Sequence, residues 1–167
     1  SHPDPGLSKK GRLQAKNTGK GLIDLISHYQ LCSSPKKRAL ETMEIINNEN
    51  RYPIKIDSHF IEIPSGNIHK EKKNDWLINI FTSPIEELPD TVKEWRNNLI
   101  HWLQNAEGNF IITTHYMVIN VLISSIINNN VISYFHPDYA SRTEIFIKNG
   151  DLVQLILGDD KKTVINL

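Results

Sequence analysis

The sequence has a single cysteine, Cys32, in 167 residues. One thiol cannot build an intramolecular disulfide framework, so a small secreted scaffold stapled by bridges is excluded and a reducing, cytoplasmic setting is expected. Net charge is missing too, because 19 Lys and Arg balance 19 Asp and Glu. A general nucleic-acid binder carries a basic face, so no nucleic-acid partner is expected. No stretch is long and apolar enough to span a bilayer, so no membrane partner is expected either. The longest apolar run, 117–127, is interrupted by Asn120, Ser124 and Ser125 and reads as a buried helix. His28, His59, His69, His101 and His136 show no HExxH or other short paired spacing, which argues against a zinc site. Repeats, linkers and low-complexity segments are absent, and the length suits one domain with a real core.

What is present is an alternation of helices and strands. Residues 8–29 predict a helix with Ser8 as N-cap and a partial apolar stripe of Leu13, Leu22, Leu25 and Ile26, weakened by Gly19 and Gly21. A short strand is expected at 30–33. A helix follows at 35–48, with Pro35 in the first turn, where its missing N–H costs nothing. Residues 52–56 and 60–63 are strand-like, and 66–74 is a polar, Lys-rich loop. Helices are expected at 75–81 and 89–105, the second with Val92, Trp95, Leu99 and Leu103 at helical spacing. Trp76, Trp95 and Trp102 read as core or cap anchors. A strand at 109–113 runs into a helix at 116–128. Strands are expected at 131–135, 143–148, 152–157 and 163–167, with Asn149-Gly150 as a hairpin turn between two of them.

Two strand-to-helix junctions carry the chemistry. One runs from Leu31 through Ser33-Ser34-Pro35 to Arg38, and the other from Phe110 through Thr113-Thr114 to His115. In an open α/β sheet, ligands bind beyond the carboxyl ends of the strands. An Arg and a His placed there can hold an anion together, phosphate above all. The plain structural alternatives are a surface Arg38 beside Lys36 and Lys37, and a hydrogen-bonded core His115. Cys32 sits in a strand and reads as buried and inert.

The same residues resemble a known family. Ser33-Ser34-Pro35-x-x-Arg38-Ala39-x-x-Thr42 is similar to the signature of the histidine phosphatase superfamily, in its phosphoglycerate mutase-like branch. Thr114-His115 resembles the site of that family's second catalytic histidine. The segment from Leu7 to Ala15 resembles its first helix start, the segment from Ile61 to Gly66 the stretch bearing its acid, and the segment from Pro137 to Glu144 its C-terminal strand entry. These matches occur in family order across nearly the whole chain.

The resemblance implies an α/β three-layer sandwich with a mostly parallel central sheet and helices on both faces. It implies one domain over 1–167, with an insertion at about 57–103 that covers the pocket and shapes substrate choice. The implied activity is hydrolysis of a small phosphate monoester through a phosphohistidine. Arg38 and His115 would bind phosphate and Glu62 would be the acid, with no cofactor and no metal. Asp90 and Glu94, at i and i+4, compete for the acid role but read as a solvated helix face. A phosphoglycerate mutase-like transfer and an inactive phosphate-binding module are the alternatives. The family opens with a strand ending in Arg-His-Gly, whose His is the nucleophile, and no such strand is found here. The expectation is a fragment lacking that strand. His2, the one histidine near the start, has no apolar strand ahead of it.

Overall fold

The computed structural model describes residues 4–48 and 51–159. The chain divides into two compact units. One is made of Ser1–Ile61, Ala106–His115 and Tyr139–Arg142, and the other of Glu62–Asn105, Tyr116–Asp138 and Thr143–Leu167. The expected strand at 163–167, and His2, lie outside the described residues.

In the first unit, helix α1 spans Lys9–Lys20, and the Ser8 side chain caps it by accepting the Gly11 N–H. The helix stops at Lys20, well short of the expected end at Tyr29. Gly21 and Leu22 donate to Thr18 and Gly19, a tighter winding than α-helical, and the chain continues as turns into a short 3₁₀ segment at Ile26–His28. Gly19 has a use beyond weakening the helix. A Cβ there would lie 3.2 Å from the Cα of Ile46, so the missing side chain lets α1 approach the next helix closely.

Strand β1, Gln30–Ser33, follows as expected. Helix α2 is Lys37–Ile46, with Pro35 outside it, and it buries Ala39, Met43 and Ile46 at i, i+4 and i+7. Strand β2, Ile54–Ile56, and strand β3, Phe110–Thr113, both pair with β1 in parallel, giving the order β2-β1-β3. Ser33 is level with Ile56 on one side and Thr113 on the other. Leu22, Ile26, Leu31, Met43 and Ile46 form the core between this sheet and its helices.

The expected strand at 60–63 does not form. The Asp57 carboxylate accepts the His59 N–H, which turns the chain into a 3₁₀ segment at Ser58–Phe60 directly after β2.

The second unit holds helices α3, Lys73–Thr82, α4, Asp90–Asn105, and α5, Tyr116–Ile126. Part of the expected Lys-rich loop is thus helical, beginning with a 3₁₀ turn at Lys70–Lys72. Val92, Trp95 and Leu99 are buried on α4, which packs against α5, whereas Asp90 and Glu94 are exposed. Trp76 and Trp102 are half-buried. Strands β4, Glu144–Lys148, and β5, Asp151–Ile156, form an antiparallel hairpin. Asn149 and Gly150 both have positive φ, as a type I′ turn requires.

The expected strand at 131–135 is also replaced. Buried Asn120 of α5 accepts the N–H groups of Tyr134 and Phe135, and Ser133 donates to the Phe81 carbonyl. These backbone groups are satisfied without a ladder, and a single bridge, Pro84 to Val131, is what remains of strand pairing there. No helix among the described residues is long and apolar enough to cross a membrane.

Candidate active site

The site grows from the carboxyl ends of three parallel strands. Pairing runs slightly past them: Ser34 N–H donates to the Thr113 carbonyl at 3.0 Å, and Asp57 N–H donates to the Ser33 carbonyl at 2.9 Å. Beyond this point β1 turns into α2, and β3 ends at Thr114-His115. Thr114 Oγ1 donates to the Phe60 carbonyl at 2.9 Å, which ties the end of β3 to the turn after β2.

Arg38 and His115, 77 residues apart in sequence, meet here, with an Nη of Arg38 lying 3.1 Å from Nδ1 of His115. A guanidinium only donates, so Nδ1 is the acceptor and carries no proton. The neutral ring then bears its proton on Nε2, which lies 2.8 Å from Ser34 Oγ and donates to it. The Lys36 N–H reaches the same oxygen at 3.3 Å. His115 is 5% exposed. Burial pushes its pKa from 6.5 down to about 3, helped by the charges of Arg38 and Lys36 and opposed by Asp4. The ring is therefore neutral at physiological pH.

Asp4 is a group that the motifs do not announce. Both its carboxylate oxygens accept the Lys37 N–H, at 3.1 and 3.2 Å. Lys36 has no side-chain cap of its own to offer α2, so an anion from another segment sits at this positive helix end. Ser34 is likewise a working partner of His115 rather than only a turn residue.

At the end of β2, buried Asp57 takes the ring N–H of His59 at 2.6 Å and the Lys55 ammonium at 3.0 Å. Burial alone would raise the Asp57 carboxyl, but the hydrogen bonds from His59 and Lys55 outweigh it and hold the group below its ordinary range. Cys32, 2% exposed, has its thiol pushed up by burial, as suits an inert core residue. Glu62 opens the second unit, and its carboxylate accepts the Ile63 N–H at 3.0 Å. Among the described residues no group of His, Cys, Asp and Glu is placed to hold a metal ion.

The family model for the histidine phosphatase superfamily (branch 1) matches residues 1–160. The chain belongs to the histidine phosphatase superfamily. Solved structures agree on the fold. It is similar to YhfR of Bacillus stearothermophilus, with a TM-score of 0.75 at 22% identity over 93% of this chain and 85% of that one. It is similar to the α-ribazole phosphatase of Shigella flexneri, with a TM-score of 0.74 at 19% identity over 99% and 90%. A phosphoglycerate mutase from Bacillus anthracis gives a TM-score of 0.69 at 18% identity over 92% and 82%. At these identities the likeness establishes an α/β fold of phosphoglycerate mutase type. A search of curated proteins found no match to this chain.

Proposed function

We propose that this protein hydrolyses a small phosphate monoester, with Arg38 and His115 holding the phosphoryl group and Glu62 protonating the leaving oxygen. The observation that carries the reading is the contact between Arg38, in the first turn of α2, and His115, just past the end of β3. Membership of the superfamily and a fold shared with the Shigella flexneri phosphatase support it.

The chemistry follows from the groups present. Arg38 directs one N–H at His115. A phosphate dianion offers it better acceptors, and the planar fork can meet two oxygens at once. The same dianion offsets the positive charge that depresses His115, so the ring gains basicity and can take a proton. Both ring nitrogens then donate. Charge that spreads over the equatorial oxygens during phosphoryl transfer meets donors already held in place by β1, α2 and β3. Glu62 is the carboxyl that the family resemblance marks for the acid role. Residues 57–103 are the segment we assign to substrate choice, within one catalytic domain acting in the cytoplasm.

Attack on phosphorus falls, by the family's mechanism, to the His of an Arg-His-Gly motif. The second reading is a module that binds phosphate without turning it over. A mutase would use the same phosphate-holding groups but keep water from the phosphohistidine.

The test is turnover of p-nitrophenyl phosphate by the product of the native gene, beside this 167-residue chain. Hydrolysis with an acid-labile, alkali-stable phosphoenzyme, lost in Arg38→Ala and His115→Ala, supports the phosphatase. Saturable vanadate binding without turnover supports the second reading. Turnover that survives both substitutions overturns the assignment of these residues.

A further inference from the structure

The second unit contains a cavity of about 320 Å³ lined by Ile85, Glu86, Lys93, Arg96, Asn97 and Asn130. Lys93, Arg96 and Asn97 stand at i, i+3 and i+4 of α4 and so share one helix face. The opposite wall is the 3₁₀ turn Ile85–Glu87, whose Ile85 N–H donates to the Asn130 carbonyl at 2.9 Å, while Pro84 bridges to Val131.

Arg96 is the unusual member. It is half-buried, its Nε is fully covered, and that atom has no hydrogen-bond partner. Among the described residues no carboxylate forms an ion pair with it, and Glu86, on the opposite wall, does not reach it. A covered N–H donor left without an acceptor is costly, and partial burial pulls the pKa of the guanidinium down. Lys93 brings a second cation to the same space. Two cations, one carboxylate and two amides leave a net positive cavity, at the small end of the range that holds metabolites.

We infer that this cavity binds a small anion bearing a carboxylate or phosphate group, drawn by the two cations that α4 presents on one face. Arg96 and Lys93 hold the oxyanion. Asn97 and Asn130 bond to its polar substituents, and Glu86 accepts from a hydroxyl or amine on it. The inference uses neither Arg38 nor His115 and does not depend on the assignment of those residues.

Isothermal titration in an Arg38→Ala background, with inorganic phosphate and with succinate, tests it. At least one of the two anions should bind, and adding Arg96→Gln should weaken it about tenfold or more. Binding of phosphate alone identifies the ligand class as a phosphate, binding of succinate alone as a carboxylate, and binding of both as an oxyanion of either kind. Lys93→Gln carries the test should Arg96→Gln fail to fold. Failure of both anions to bind, or binding untouched by either substitution, overturns the inference.

Discussion

Arg38 donates to Nδ1 of His115 at 3.1 Å, and this contact sets the tautomer of the ring and its partner on the far side, Ser34. Burial holds the ring neutral, and the charge of Arg38 adds to that effect.

The pH dependence of stability follows. His115 titrates at 6.5 unperturbed and at about 3 in the folded protein. Between these values the unfolded chain binds the extra proton, so stability is full above the unfolded pKa and falls as pH drops toward the folded one. The loss is on the order of a few kcal/mol by the bottom of the window. Urea unfolding of the protein and of His115→Gln from about pH 7 to about pH 4 checks this. The wild-type advantage should shrink steadily as pH falls, and a constant difference would contradict it. Asp57, with its lowered pKa, loses its contribution only at still lower pH and cancels in the comparison.

Ser34 and Thr113 make a contrasting pair. Ser34 Oγ accepts from buried His115, so Ser34→Ala leaves a buried N–H unsatisfied and should cost about 1–3 kcal/mol. Thr113 Oγ1 is buried with no hydrogen-bond partner, so Thr113→Val should be neutral or stabilising by about 1 kcal/mol. Chemical denaturation of both variants should place them on opposite sides of wild type.

Much of this arrangement is legible in the sequence. β1 is readable to the residue because Leu31 and Cys32 are flanked by a turn-forming Ser-Ser-Pro, and the Asn149-Gly150 turn leaves one choice for the hairpin. Arg38 and His115 stand out because each follows an apolar strand. The strands expected at 60–63 and 131–135 fail for a shared reason. The side chains of Asp57 and Asn120 satisfy backbone groups that propensity alone would hand to a sheet. Asp4 and Ser34 are not readable as partners, because their contacts bridge 33 and 81 residues and carry no local pattern.

Asp4 should oppose phosphate. Its carboxylate occupies the N-terminus of α2 close enough to His115 to act on the ring's pKa. Asp4→Ala should weaken folding by about 0.3–1 kcal/mol through the lost helix-end charge, yet tighten phosphate binding by removing a like charge. Thermal unfolding and phosphate titration on the same variant read both effects, which should have opposite signs.

Arg38→Lys separates the guanidinium's geometry from its charge. Lysine keeps the positive charge but loses the fork, so phosphate should bind more weakly than to wild type and more tightly than to Arg38→Ala. Equal affinity of wild type and Arg38→Lys in calorimetry would mean that charge alone matters.

The most direct measurement is the nitrogen spectrum of the His115 ring during titration with phosphate. The account predicts a neutral ring protonated on Nε2 without ligand, a shift at Nδ1 as phosphate draws Arg38 away, and a rise in the ring's pKa, all abolished in Arg38→Ala. A ring that stays unchanged at saturating phosphate would contradict it.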